Sequence, residues 1–104
     1  MLSCSQLRTP RSHIRTIMKN MQDKKEKLLL TFAKIVTRNR GNKSMSTCSY
    51  EVDISKSIWS KIESGDRDAQ LSTIWRIAES LNIKPSELFR QMELELGSDF
   101  SFIE

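Results

Sequence analysis

The stretch that most limits what this chain can become is Ser44 to Gly65, SMSTCSYEVDISKSIWSKIESG, where two capping serines, two short apolar stripes and a stop glycine follow one another closely. Ser44 is a good N-cap, because its hydroxyl can accept an amide left unpaired at a helix start. Cys48, Ser49 and Val52 then fall at i, i+1 and i+4, which is one buried stripe and predicts a helix over 45–52. Asp53 tolerates the left-handed or bridge backbone of a sharp turn, Ile54 is an apolar plug at the bend, and Ser55 can cap a second helix over 56–63. There Trp59 and Ile62 form the apolar pair, leaving Lys56, Ser57, Ser60 and Lys61 on the other side, short or cationic and free of acid. Such a face suits a DNA groove, whose phosphates attract cations and whose base edges accept hydrogen bonds. Ser64-Gly65 ends the helix, with Gly where φ is usually positive.

The flanking sequence supplies three more helices and no strand pattern. Before the turn unit, Leu28, Leu29, Phe32, Ile35 and Val36 recur at helical spacing from about Lys24 to Arg40, and Gly41-Asn42-Lys43 breaks the helix. After it, the polar connection 66–70 leads to a stripe of Leu71, Ile74, Ile77, Ala78 and Leu81 that stops at Asn82-Ile83. Pro85 at a first helical position, with Ser86 and Glu87 in the first turn, opens a helix over 85–96 whose apolar face is Leu88, Phe89, Met92 and Leu96. The expected core is Leu29, Phe32, Val36, Cys48, Val52, Ile54, Trp59, Ile62, Ile74, Ile77, Ala78, Leu81, Leu88 and Met92. Trp75 lies one position off its stripe and is expected to be partly exposed. The organisation read from the sequence is a basic, disordered N-terminal tail over 1–23, a helical domain over 24–97 and an apolar C-terminal tail over 98–104. Phe100, Phe102 and Ile103 make that last tail too apolar to be wholly solvated: it folds back on its own core or docks on another subunit.

Composition narrows the function. A chain of 104 residues has room for one domain and a modest core, so a catalytic cleft between domains is not expected. The net charge of +4 is unevenly spread: residues 1–43 hold 11 Lys or Arg against Asp23 and Glu26, while 44–104 hold 6 against 11 acids. Cys4 and Cys48 do not make a disulfide framework, and one His cannot complete a zinc site, so neither metal nor cofactor is expected and a reducing cytoplasm fits. Leu28-Leu29-Leu30 is far too short to span a bilayer. No Ser/His/Asp or Cys/His set lies in the folded segment and no Gly-rich phosphate loop exists, so no catalytic residue is assigned. The segment before Met21 has Arg and Ser without acid, superficially like an organelle-targeting peptide but lacking its stripe; translation starting at Met18 or Met21 is the plainer reading.

The turn unit resembles the Cro and lambda-repressor-like helix-turn-helix family of bacteria and phages, often called XRE. The resemblance covers about residues 28–96 and rests on Arg38, Ser44, Ser49, then Trp59-Ser60-Lys61-Ile62-Glu63-Ser64-Gly65, then Ile74-Trp75-Arg76-Ile77-Ala78-Glu79-Ser80-Leu81. It implies an all-α, five-helix lambda-repressor-like DNA-binding domain in which Arg38 pairs with Glu63 as a clasp between the first and third helices. Three positions depart from the family pattern: Asp53 where a turn Gly is common, Ala69 where a Pro often opens the fourth helix, and Met45 where a Gln often reaches a base. The first two bear on stability, the third on specificity.

Taken together, these readings give a cytoplasmic, nucleoid-associated regulator of transcription, a repressor, that binds double-stranded DNA as a homodimer and reads the major groove with helix 55–63. The base-reading residues are expected to be Lys56, Ser57 and Lys61 with Ser55 in support, and Met45 offers an apolar contact to a thymine methyl. Phosphate contacts are expected from Ser44, Ser60, Arg40 and Lys43. Ile58 either packs or touches the groove. The competing reading is an antitoxin or adaptor that holds a protein partner through helix 85–96 and the C-terminal tail and autoregulates its operon; a helical module without DNA binding is the third.

Overall fold

The computed structural model describes the backbone of residues 4–103 and the side chains of residues 21–103. Five helices follow in order: α1 (Cys4–Arg40), α2 (Met45–Glu51), α3 (Lys56–Glu63), α4 (Leu71–Ser80) and α5 (Pro85–Leu96). Among the described residues there is no strand, so the all-α, five-helix lambda-repressor-like architecture expected from the sequence is the one observed. One boundary differs. α1 starts at Cys4 rather than near Lys24 and runs through Pro10; from Arg11 to Arg40 the sequence contains neither Gly nor Pro, so nothing in that stretch stops helix propagation. Of the segment expected as a tail, residues 1–3 and the side chains of 4–20 lie outside the described residues, and Met21, Gln22 and Asp23 are exposed.

α1 packs against both α3 and α5, α2 against α3 and α4, and α4 against α5. The core they enclose holds Phe32, Ile35 and Val36 from α1, Cys48 from α2, Trp59 and Ile62 from α3, Ile77 and Ala78 from α4, and Leu88 and Met92 from α5, with Ile54 and Leu81 from the connections. A fully buried side chain the size of Ile35, Ile77 or Leu88 contributes roughly 1.5–3 kcal/mol through removal from water. Leu29, Val52 and Ile74, expected in the core, are half-buried at its edge, and Ile35, absent from the expected core, is fully buried. Leu71, expected to begin the α4 stripe, is 75% exposed at the first position of the helix.

The same closure ends three helices. After α2, Asp53 donates its N–H to Tyr50 O and Ile54 to Ser49 O; after α3, Gly65 donates to Ile62 O and Asp66 to Lys61 O; after α4, Asn82 donates to Glu79 O and Ile83 to Ala78 O. This is the paired hydrogen-bond pattern of a left-handed C-terminal stop. The residues that take the positive φ are Asp53 at 58°, Gly65 at 80° and Asn82 at 61°. At Gly65 glycine is also needed for space, because a Cβ would lie 2.6 Å from Leu30 Cδ2. Beyond α5, Gly97 ends the helix and Phe100 folds back on α1: its ring stands edge-on to Phe102 with centroids 5.6 Å apart, and Lys27 Nζ lies 5.7 Å from its centroid. Ile103 stays 86% exposed.

Candidate nucleic-acid interface

The interface is built on α3. Ser55 has the extended backbone of an N-cap, φ −66° and ψ 147°, and its Oγ accepts the Ile58 N–H at 3.1 Å. With about 100° of turn per residue, Lys56, Ser60, Ser57 and Lys61 occupy a contiguous arc of about 140°, while Ile58, Ile62, Trp59 and Glu63 take the other side. Burial follows that division: Trp59 and Ile62 are buried and Ile58 is half-buried against the core, whereas Lys56, Ser57, Ser60 and Lys61 are all exposed. Ile58 is thus a packing residue. The exposed arc carries no acid, and Glu63, the acid at the end of α3, is turned inward.

Glu63 accepts four hydrogen bonds from three neighbouring side chains. Its carboxylate accepts Arg40 Nε at 2.6 Å and Arg40 Nη2 at 2.9 Å, Trp59 Nε1 at 2.6 Å and Thr37 Oγ1 at 3.1 Å. Burial pushes its carboxyl upward, but the hydrogen bonds from Arg40, Trp59 and Thr37 outweigh this and hold it below the usual carboxylate range. The clasp that the resemblance assigned to Arg38 therefore belongs to Arg40. Residues 38 and 40 differ by about 200° around α1, so they address opposite neighbours. Arg38 reaches α5 instead, with Nη1 3.7 Å from Glu95 Oε1 and Nη2 3.4 Å from Gln91 Oε1.

Two of the residues expected at phosphates have partners inside the protein. Arg40 gives its remaining nitrogen, Nη1, to Lys43 O at 2.8 Å, so each of its three nitrogens has a partner inside the protein. Lys43 Nζ donates to Glu51 Oε1 at 2.6 Å and Ser80 O at 3.0 Å, and the hydrogen bond to Glu51 raises its pKa. Both cations hold the α1–α2 connection onto the domain. Ser44 is committed as well: its Oγ accepts the Thr47 N–H at 3.1 Å and donates to Thr47 Oγ1 at 2.9 Å. Met45 is half-buried against the core, leaving only part of its surface for a base.

Two residues that sequence reasoning passed over stand out. Tyr50 on α2 is 88% exposed, and its position two residues past buried Cys48 was the available signal. Arg76 on α4 donates through Nη1 to Val52 O and to Asp53 O, each at 3.2 Å, and so grips the turn between α2 and α3. Nothing in the sequence marks that contact.

α2, the turn at Asp53 and α3 with its outward, acid-free face define a helix-turn-helix domain. Neither the protein-family models nor the curated protein sequences match this chain. Among solved structures, the crystal structure of the restriction-modification controller protein C.AhdI from Aeromonas hydrophila is similar, with a TM-score of 0.56 at 30% identity over 59% of this chain and 96% of that one. The chain belongs to the Cro/lambda-repressor-like, or XRE, helix-turn-helix family.

Proposed function

We propose that the protein is a sequence-specific regulator of transcription that binds double-stranded DNA, inserting α3 into the major groove and repressing the promoter it covers. The observation that carries this reading is the outward arc of α3, where two cations and two serines are exposed with no acid among them while the opposite side is core. Its similarity to a restriction-modification controller protein supports a regulatory role. Lys56 and Ser57 read bases, Ser55 and Met45 assist, and Lys61, Ser60 and Ser44 approach phosphates; Arg40 and Lys43, held by Glu63 and Glu51, are left out of the proposed contact set. A cytoplasmic, nucleoid-associated location follows from the DNA partner. The test is selection of duplexes from a random-sequence pool by the full chain, followed by titration on the enriched and a scrambled duplex. Enrichment of one sequence, with roughly 10³-fold or greater preference over the scramble, is expected; equal affinity for both would overturn the reading.

One small reading helix covers few base pairs, so the working unit is a homodimer on two half-sites about one helical turn apart. Leu71 and Trp75, i and i+4 on α4, are 75% and 56% exposed, and Phe89 on α5 is 42% exposed, which leaves apolar surface for a second copy. Sedimentation should show a dimer on the enriched duplex, and monomer both free and bound would refute it. The antitoxin or adaptor reading draws on Leu94 and Ile103, 70% and 86% exposed on α5 and the tail, and would be favoured by stoichiometric co-purification of one defined protein that needs them.

A further inference from the structure

We propose that Arg76 is a positioning residue for the reading helix, holding the turn between α2 and α3 so that α3 meets the groove at a fixed angle; this rests on the DNA-reading function just given. The turn is the strained point of the motif. Asp53 sits at φ 58°, a left-handed conformation that costs an L-residue free energy and that Gly would adopt without that cost. Its own closure is uneven: Ile54 N–H to Ser49 O is 2.9 Å, but Asp53 N–H to Tyr50 O is stretched to 3.4 Å. Two successive carbonyls at the end of α2, those of Val52 and Asp53, accept no amide among the backbone bonds of the turn. Arg76 supplies the donor, with one nitrogen 3.2 Å from each. A charged donor shared by adjacent carbonyls fixes the orientation of both peptide planes, and α3 begins three residues after Asp53, at Lys56.

The anchor is rigid. Arg76 lies in the middle of α4, directly before Ile77 and Ala78, both fully buried. Its guanidinium therefore refers the turn to the core rather than to solvent. Ser55, the cap of α3, follows the turn by one buried residue, Ile54, so a rotation of the Val52 or Asp53 peptide would pass directly into the start of α3, where Lys56 stands. Displacements of about 1 Å at a recognition surface are enough to break directional hydrogen bonds to base edges while leaving attraction to phosphates intact.

The experiment has a DNA-free arm and a DNA arm. Arg76→Met keeps the aliphatic stem and removes the donors, and Arg76→Lys restores a charged donor; each is made in the parent and in an Asp53→Gly background that removes the left-handed cost, so that the fold survives. In the free protein, Arg76→Met should speed amide exchange at Asp53 and Ile54 by roughly tenfold or more relative to α5 amides. On the duplex enriched from a random pool by the parent protein, the ratio of affinity to that of a scrambled duplex should fall by roughly tenfold, with the scrambled affinity within a factor of about three of the parent's. Arg76→Lys should recover part of both. Unchanged exchange at Asp53 and Ile54 would overturn the pinning of the turn. Faster exchange with an unchanged affinity ratio would overturn its role in positioning α3, and an equal loss on both duplexes with a shallower salt dependence would make Arg76 a phosphate contact instead. If the parent protein enriches no sequence at all, the DNA-reading function fails while the exchange arm still decides whether Arg76 holds the turn.

Discussion

Replacing Glu63 by Ala should be among the most damaging single substitutions outside the apolar core. Its carboxylate, with a side chain only 9% exposed, receives four hydrogen bonds, two of them from the guanidinium of Arg40, itself 18% exposed. Removing one member of such a pair strands the other charge, which costs roughly 3–5 kcal/mol when both are buried. Residual exposure of Arg40 lets water repay part of this, so about 3 kcal/mol is expected, out of a total stability of roughly 5–10 kcal/mol for a domain of this size. In a urea titration the midpoint should fall steeply with the slope unchanged, and the melting temperature should drop by roughly 12–24 °C. Arg40→Ala should be comparably harmful. Arg38→Ala should stay within about 0.5 kcal/mol of the parent, because that side chain is 52% exposed and its partner Glu95 is 3.7 Å away. The sign of the pH dependence follows from the depressed carboxyl of Glu63: its contribution is fully present above the unfolded-state pKa of about 4.3 and is lost as pH falls through the lower folded value. The gap between the parent and Glu63→Gln should therefore narrow in acid. Arg38→Ala melting well below Arg40→Ala would refute the assignment of the clasp.

Two further outcomes follow from the exposed faces. Lys56→Ala should cost roughly 1–3 kcal/mol on the enriched duplex and relax preference at one base position, whereas Lys61→Ala should weaken enriched and scrambled duplexes alike and lower the salt slope by about one phosphate's worth per protomer; titrations of both at several salt concentrations decide. On α5, Glu87 is held to about 2 by hydrogen bonds from Arg90 and Gln91, so carboxyl resonances in an NMR pH titration should show it among the last acids to protonate, and Arg90→Gln should return it toward the ordinary range.

How much of the domain was legible in the sequence depended on whether the signal was local. The helix-turn-helix could be read because its determinants lie within a turn or two of each other: Ser44 and Ser55 cap the helices they precede, and Asp53 and Gly65 take the positive φ that ends the helices before them. The apolar pair of α3 could be read for the same reason, whereas on α5 Leu88 and Met92 are buried as expected and Phe89 of the same stripe is exposed. What depends on tertiary placement was missed. Leu71 belongs to a correct stripe yet is exposed, because periodicity gives the face and not how far the neighbouring helix extends. The grip of Arg76 on the turn joins residues 24 and 23 positions apart, and the clasp joins residues 23 apart, so neither leaves a mark at helical spacing.

The cations show the limit most sharply, and they lead to a last prediction. A Lys or Arg beside a helix start reads the same in sequence whether it meets a phosphate or a carboxylate. Arg40 and Lys43 meet Glu63 and Glu51, so the proposed interface draws its positive charge mainly from Lys56 and Lys61. For a dimer on B-DNA, with a slope of about −0.9 per neutralised phosphate, two such cations per protomer give about −3.6 in a plot of log affinity against log salt, whereas four would give about −7. Lys43→Met separates the alternatives, since it removes a charge without touching the clasp. If Lys43 is spent on Glu51 and Ser80, the slope should be unchanged while the midpoint in urea shifts slightly; a slope shallower by nearly two in the dimer would return Lys43 to the DNA and require its bond to Glu51 to open on binding.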